Sequence, residues 1–371
     1  MGVRSTSIKN AGYLLVMLPQ VLFVLGVAIG FPWLSVLFFF LILPLLRYVV
    51  GNDLAPPNPA KVSPWLRAYF KALPRLYCLS WAFVLPWSAW VLGNVSMSVP
   101  AYIGFALSLW TVFALTTAVS HELAHAADSP LDRRLGRLLN ASVGYFHFSE
   151  EHFSHHERTG HHHGGDVAKP GESIYRYSWK RYLGSFRCAF EFEHARLKRH
   201  GLSKLAHRPI RRAIVPVLVA VMFYQLAGWL GLGIYLLEVA AAAFAVQGIT
   251  YLQHWGLSER HTPELADFGF AWEDGCWMQA CVTLNNAYHG QHHLYVRKPY
   301  QQLSMTKGGL VLPASYPVMF LAALYPPFFT RIMQCRLKLW LENKEEREAL
   351  MHRTDCIGAT VFARRAAGRG S

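Results

Sequence analysis

Nine histidines of this sequence have a spacing that suits metal coordination. They lie in the segments HELAH, HFSHH, LQHWG and HGQHH, as His121, His125, His152, His155, His156, His254, His289, His292 and His293. Residues three and four apart share one face of an α-helix, so HxxxH presents two imidazoles side by side and HxxHH presents three. No segment supplies a full ligand set alone, and the segments therefore have to meet in the folded protein.

The pattern predicts a centre with two metal ions. Adjacent histidines such as His155 and His156 point about 100° apart on a helix, so each of them can serve a different ion. Imidazole nitrogens favour iron, copper, zinc or nickel over magnesium, calcium or manganese. The spacing alone does not select among the four favoured metals.

Membrane-spanning helices are predicted to position these histidines. The chain has 371 residues, of which 53% are hydrophobic and only 16% charged, and this is too apolar for an ordinary water-soluble domain. We expect one all-α integral membrane domain over residues 1–371, with a histidine-rich helical cap. A bilayer is spanned by about 20 apolar residues, and six segments have about this length: 11–30, 33–50, 76–92, 100–119, 213–229 and 232–252.

The distribution of charge predicts the side of the membrane on which the histidines lie. The short connections at 30–33, 93–99 and 228–231 contain no Lys or Arg, whereas the other connections are rich in both. Positive residues mark the cytoplasmic side. We therefore expect the segments 120–212 and 253–371, and with them all nine histidines, at the cytoplasmic face. Residues 360–371 are expected to be disordered.

The net charge of +14 at pH 7 is concentrated in patches such as residues 196–212, which lie beside predicted spans. Such patches favour contact with lipid headgroups and argue against a nucleic-acid partner. Docking of an acidic electron-transfer protein is the alternative use of the same basic face. The six cysteines contain no CxxC pair, which argues against a zinc ribbon or a disulfide framework.

The segment HELAH also matches the HExxH motif of zinc proteases. In that interpretation His121 and His125 would bind zinc, and Glu122 would be the general base. A single zinc site leaves the other seven clustered histidines without a role. The protease is therefore the weaker alternative.

The order and spacing of the motifs resemble those of the integral-membrane alkane and xylene monooxygenases. The resemblance covers roughly residues 76–303 and rests on HELAH, HFSHH, GESIY at 171–175, LQHWG, and NAYHGQHH followed by KPYQQL. It implies that the nine histidines are the iron ligands of a diiron centre without bridging carboxylates, in a protein with six spans. It also implies O2-dependent hydroxylation of a terminal or benzylic carbon of an alkane or alkyl-arene.

One motif departs from the family pattern. The second box of the family usually reads HxxxHH, but here the residue four before His155 is Glu151, and the nearest preceding histidine is His152. Glu151 is therefore an alternative ligand to His152. The HxxHH spacing resembles that of membrane fatty acyl desaturases, so desaturation at the same diiron site is the alternative activity. LQHWG, GESIY and residues 300–303 favour hydroxylation.

The resemblance also implies cofactors, partners and a location. Two non-haem iron ions are the implied cofactor, and O2 is the co-substrate. The sequence carries no flavin, haem or iron–sulfur motif, so a rubredoxin or ferredoxin-type protein with its reductase is expected to supply electrons. The expected location is a bacterial inner membrane.

An apolar substrate is expected to enter the site from the lipid bilayer, along a channel between helices. Trp110, Phe113 and Thr117 lie upstream of His121 in the same segment and are expected to line this channel. Four polar residues near the last histidine box are candidates to orient the imidazoles, namely Asp267, Glu273, Asp274 and Asn286.

Overall fold

Helices dominate the computed structural model of the protein, which describes residues 10–51, 63–126, 128–160, 166–258 and 263–342. Four of the helices in these ranges are long and apolar enough to cross a membrane: Asn10–Ala28, Pro64–Asn94, Val99–Ala124 and Arg208–His254. The predicted all-α membrane class is confirmed, whereas a count of six spans stays a prediction. The predicted disorder of residues 360–371 lies outside the described residues.

The helices are numbered here along the chain. Segments Leu34–Leu37, the π-helical Phe38–Ile42 and Leu43–Val50 follow one another without a break and are treated as one helix, α2. The other helices are α1 (Leu18–Ala28), α3 (Pro64–Asn94), α4 (Val99–Ala124), α5 (Pro130–Ser142), α6 (Phe148–Arg158), α7 (Ile174–Arg199), α8 (Arg208–Arg212), α9 (Ile214–His254), α10 (Trp277–Val282), α11 (His289–Leu294), α12 (Tyr316–Ala323) and α13 (Pro326–Glu342).

The start of α4 is fixed by local sequence. The Ser98 side chain accepts a hydrogen bond from the Ala101 N–H, and Pro100 occupies the first turn, where its missing N–H costs nothing. From this cap the helix runs without a break to Ala124, so that His121 lies in its last turn and His125 caps its end. The helix that contains the apolar segment 100–119 therefore extends into HELAH.

Helix α9 contains both of the last two predicted spans and is broken between them. Ala227 and Gly228 have non-helical backbone angles, and Gly228 has a φ of 58° and a ψ of −149°. The rings of Phe223 and Tyr235 lie 5.2 Å apart, although twelve residues of a straight helix would separate them by about 18 Å. The chain therefore reverses direction at Gly228, and α9 is a helical hairpin whose second arm ends at His254.

The loop between α5 and α6 is held against the second arm of α9. Gly144 has a φ of 83°, and a Cβ at this position would lie 2.4 Å from the Val239 side chain, so only glycine fits. The Tyr235 hydroxyl donates to the Ser142 carbonyl at 3.0 Å. This contact fixes the position at which α6 begins. Helix α6 contains the second histidine box and places it near the end of α4.

The last histidine box lies in irregular backbone that is supported by two short parallel strands, β1 (Trp272–Glu273) and β2 (Leu310–Val311). Arg47 of α2 forms a buried ion pair with Asp274 at 3.2 Å. The Asn285 amide donates to the Tyr13 hydroxyl at 2.7 Å. The N-terminal helices therefore brace the segment that carries the last box. Two-residue strands are too short for a sequence pattern to predict.

Candidate metal centre

All nine predicted histidines meet in the structure, and they form two groups. The ligand atoms within each group lie within 4.8 Å of one another. The larger group consists of His121, His125, His152, His156 and His292, and the smaller of His155, His254, His289 and His293. Both HFSHH and HGQHH divide their histidines between the groups, as expected for adjacent residues on a helix. The elements that contribute are α4, α6, α9 and α11.

The Nε2 atoms of the larger group point towards one another. The distance between Nε2 atoms is 2.7 Å for His125 and His152, 3.0 Å for His152 and His156, and 3.1 Å for His156 and His292. A neutral imidazole has one donor nitrogen and one acceptor nitrogen, so a ring of such contacts cannot be satisfied by hydrogen bonds alone. Inward-facing lone pairs are the arrangement that a metal ion requires.

The smaller group shows the same convergence. His289 Nε2 lies 3.3 Å from His254 Nε2 and 2.9 Å from His293 Nε2. The other ring nitrogen of His254, Nδ1, donates to the Phe270 carbonyl at 2.8 Å. This bond fixes the ring so that its unprotonated Nε2 faces the group, which is a common device in metal sites.

Burial lowers the pKa of eight of the nine imidazoles, those of His121, His125, His152, His156, His254, His289, His292 and His293. Desolvation, followed by the neighbouring imidazoles, lowers the pKa of His152, His289 and His293 well below the usual value of 6.5. The same causes lower the pKa of His125 to about 4. These eight rings are therefore unprotonated at pH 7, which is the form that binds a metal.

A buried carboxylate supports the smaller group from outside. Asp166 Oδ2 lies 3.0 Å from His155 Nδ1, and Asp166 Oδ1 lies 2.5 Å from the Arg181 Nε. Burial alone would raise the pKa of Asp166, but Arg181 and His155 outweigh it and lower the pKa to about 2. The ionised Asp166 holds His155 in the tautomer whose Nε2 is free.

A second buried carboxylate holds the helix of the last box. Glu273 Oε1 accepts from the Gly290 N–H at 2.9 Å, and Oε2 accepts from the Thr306 N–H at 2.8 Å. Glu273 therefore sets the start of α11, on which three of the nine histidines lie. The other three candidates have different surroundings. Asp274 pairs with Arg47, Asn286 lines a cavity, and Asp267 is exposed.

Glu122 of HELAH and Glu151, which directly precedes HFSHH, lie outside both groups. Glu151, which the sequence left as an alternative ligand, forms an ion pair with Arg181 in the interior. A Glu122 carboxylate oxygen accepts from the Tyr300 N–H at 3.4 Å. His152, and not Glu151, belongs to the larger group.

An apolar cavity leads away from the histidines between α2, α4, α9 and α12. Its volume is about 170 Å³, roughly ten times the space that one water molecule needs. Trp110 and Thr117, two of the three residues expected to line a substrate channel, line this cavity together with His121. Thr117 follows Trp110 by seven residues and His121 follows it by eleven. On an α-helix both steps return to within about 20° of the direction of Trp110, so the three side chains share one face.

Phe113, the third residue expected to line a channel, lies away from this cavity. Its side chain is fully buried in the core, where its ring lies 5.3 Å from that of Trp81 and 6.3 Å from that of Tyr235. A step of three residues turns Phe113 about 60° away from Trp110, which is enough to point it away from the cavity.

Two supporting residues were not predicted from the sequence, Asp166 and Arg181. Asp166 follows a run of histidines and glycines, and Arg181 is one of many basic residues in α7. The sequence feature that could have indicated them is their position after a motif. Asp166 follows GHHHGG, and Arg181 follows GESIY. Their partnership depends on how α6 and α7 pack, and spacing does not show this.

Comparison with known proteins fits this geometry. The model of the fatty acid desaturase family matches residues 96–320. The chain is 30% identical to alkane 1-monooxygenase 1 of Alcanivorax borkumensis, over 81% of this chain and 76% of that protein. The chain belongs to the alkane/xylene monooxygenase family. The resemblance predicted from the motifs is confirmed.

Further members of the alkane/xylene monooxygenase family are similar over most of the chain. Alkane 1-monooxygenase 2 of Pseudomonas aeruginosa is 29% identical, over 85% of this chain and 86% of its own. The xylene/toluene monooxygenase hydroxylase component of Pseudomonas putida is 26% identical, over 75% and 77%. This protein is accordingly a membrane monooxygenase that acts on hydrophobic substrates, and the zinc-protease alternative is set aside.

Proposed function

We propose that the two histidine groups hold two iron ions and that the protein uses O2 to hydroxylate a terminal or benzylic carbon of an alkane or alkyl-arene. The observation that carries this proposal is the convergence of nine imidazoles in two groups at the end of an apolar cavity. Nitrogen ligands in this number suit iron, and the family relationship selects iron among the metals that imidazole favours. The burial of the rings, which lowers the pKa of His152, His289 and His293, favours the unprotonated form that binds a metal.

Different residues of the chain orient the histidines and bind the substrate. When bound, the iron pair supplies the reduction of O2 and the oxidation of the C–H bond. His155 and His254 are held in one tautomer by Asp166 and by the Phe270 carbonyl. The apolar cavity wall orients the substrate and excludes water beside the histidines. The overall reaction converts R–CH3, O2, two electrons and two protons into R–CH2OH and water.

The source of the electrons is a separate protein in this proposal. A rubredoxin or ferredoxin-type donor would dock on the basic face next to α7 and α8, where Lys198, Arg199, Lys204, Arg208 and Arg211 are exposed. Such donors are acidic, and complementary charge speeds their encounter with a basic surface.

The orientation in the membrane follows from charge. We place six spans in a bacterial inner membrane, with residues 11–30, 33–50, 76–92 and 100–119 as the first four and the two arms of α9 as the last two. The second arm of α9 and the end of α4 both lead to the histidines. The Lys- and Arg-rich connections are on this side, which supports a cytoplasmic site.

Desaturation is the second candidate because the family model is that of fatty acid desaturases and the second box reads HxxHH. Both activities can be tested in one experiment. Iron-loaded protein in lipid nanodiscs would receive a reductant system, ¹⁸O2 and a panel of n-octane, p-xylene and a fatty acid. We expect an alcohol that carries ¹⁸O. An unlabelled alkene would instead establish desaturation.

Matched histidine variants test the metal centre. His121→Ala removes a member of the larger group, whereas His200→Ala removes an exposed histidine at the end of α7. We expect His121→Ala to lose iron and alcohol formation and His200→Ala to keep both. Full occupancy of two iron ions in His121→Ala would contradict the proposed ligand set.

A further inference from the structure

Most polar groups that line the cavity are already satisfied within the protein. The Thr117 hydroxyl donates to the Ala114 carbonyl at 2.6 Å, and the Thr250 hydroxyl donates to the Val246 carbonyl at 3.0 Å. Arg181 is paired with acidic side chains. These groups do not call for a hydrogen bond from a ligand.

Gln247 is different. Its side chain is only 3% exposed and lines the cavity, and its Nε2 donates to the Tyr145 hydroxyl. Its Oε1 is buried and has no hydrogen-bond partner in the described part of the chain, and the same is true of two other atoms of cavity-lining residues, Asn286 Oδ1 and Gln279 Nε2. A buried amide atom without a partner costs about 1–3 kcal/mol. A ligand that supplies the missing hydrogen bond recovers this free energy.

The position of Gln247 defines where such a ligand group would lie. Gln247 precedes His254 by seven residues on the unbroken second arm of α9. A rise of 1.5 Å per residue places it about 10 Å from His254 along the helix, and on nearly the same face. A ligand hydroxyl bound at Gln247 would therefore lie at the cavity wall, about two helical turns from His254.

We propose that this cavity also binds medium-chain aliphatic alcohols, with the hydroxyl at Gln247 and the far methyl group at the histidines. A hydroxyl both donates and accepts, so it fits the free amide atom whichever way the Gln247 amide is turned. An alkane of the same length fills the cavity but leaves the amide unpaired. Sites that hydrogen-bond a hydroxyl discriminate against analogues that lack it.

This inference rests on the proposed hydroxylation and extends it to a second substrate class. The reaction is HO–CH2–R–CH3 + O2 + 2 e⁻ + 2 H⁺ → HO–CH2–R–CH2OH + H2O. One C–H bond breaks and one C–O bond forms at the far methyl group, and the second oxygen atom leaves as water. The rubredoxin or ferredoxin-type donor supplies the electrons, and the product is an α,ω-diol.

The activity test compares n-octane with 1-octanol in wild type and Gln247→Met. Methionine keeps the length of the side chain but removes the amide. We expect wild type to convert 1-octanol to 1,8-octanediol. Gln247→Met should lower kcat/KM for 1-octanol by about tenfold more than kcat/KM for n-octane, the loss of one hydrogen bond. Gln225→Met makes the same change at an exposed position of α9 and should alter neither substrate.

Binding gives a readout that does not depend on turnover. Thermal unfolding of metal-free protein in nanodiscs should show a larger upward shift of Tm with 1-octanol in wild type and Gln225→Met than in Gln247→Met. n-Octane should raise the Tm of all three proteins equally.

The possible outcomes separate this inference from the proposed function. Absence of any oxidation of n-octane would count against the proposed function, and the Tm shifts would then decide the alcohol site alone. Formation of octanal without diol would show the opposite orientation and overturn the inference. Equal losses for both substrates in Gln247→Met, or equal Tm shifts in all variants, would also overturn it.

Discussion

Asp166 Oδ2 and His155 Nδ1 lie 3.0 Å apart in the interior, and the same carboxylate contacts Arg181. Asp166 follows His155 by eleven residues in the sequence and lies beyond the end of α6. Because Arg181 lies in α7, Asp166 links His155 of the smaller group to the position of α7. The orientation of this imidazole therefore depends on tertiary structure and not on the histidine box alone.

Replacement of Asp166 should loosen the smaller histidine group. Asp166→Asn keeps the shape of the side chain but removes the charge that holds His155 and Arg181. Loss of such a supporting group typically costs 10- to 100-fold in metal affinity, and we expect about this loss. Iron titration with Mössbauer spectroscopy would measure it, and exposed Asp267→Asn is the control. Unchanged occupancy of both sites in Asp166→Asn would contradict the supporting role.

The metal-free protein should lose stability as the pH falls below 6.5. Burial lowers the pKa of His125 to about 4 and that of His147 to about 3. Between these values and 6.5 the folded protein binds fewer protons than the unfolded chain, so stability falls as pH falls, by up to about 1.4 kcal/mol per pH unit for each histidine. Scans of Tm from pH 8 to pH 5 would show the fall. A flat profile over this range would refute the prediction.

Removal of the Glu273 carboxylate should disorder the start of α11. Glu273→Ala leaves the Gly290 and Thr306 N–H groups without their acceptor in the interior, at a cost of about 1–3 kcal/mol for each buried group. We expect a lower Tm and reduced metal occupancy, because His289, His292 and His293 all lie on this helix. Glu273→Gln keeps an acceptor and should show smaller losses. Identical behaviour of the two variants would argue against hydrogen bonding as the cause.

Trp110 and Phe113 should respond differently to truncation. Trp110→Ala enlarges the cavity at the end far from the histidines and should shift activity towards longer substrates. Phe113→Ala creates a void in the core and should lower stability by about 3–5 kcal/mol without such a shift. Product profiles over a series of n-alkanes, together with Tm, would separate the two effects. A longer preferred chain length in Phe113→Ala would contradict the assignment of its ring to the core.

Gly228 should be intolerant of a side chain. Its φ of 58° with a ψ of −149° is accessible to glycine but strained for other residues, by about 1–3 kcal/mol. Gly228→Ala should therefore lower the Tm. Gly233→Ala is the matched control, because a Cβ there meets no neighbouring atom and alanine favours the helix. Equal Tm values for the two variants would show that the reversal of α9 does not depend on Gly228.

The sequence predicted the helices and the histidines because both leave periodic signals. Runs of about 20 apolar residues and HxxxH spacing are local properties, and the structure places these segments in helices, with the histidines in close contact. The sequence did not show that Phe113 packs in the core and not against the cavity, because the face of α4 that meets the cavity depends on where α3 and α9 pack. Spacing along one helix gives angles between side chains, but it does not give the direction of the neighbours.

By itself the sequence determined the membrane class, the family and the choice of the nine histidines as candidate ligands, because the length of apolar segments and the spacing of histidines are local properties of the sequence. Only the tertiary structure decided the division into groups of five and four, the pairing of Glu151 with Arg181, and the supporting role of Asp166. It also decided that Gln247 faces the cavity with an unpaired amide atom. Those relationships join residues that are distant in sequence, and packing in three dimensions is what brings them within a hydrogen bond of one another.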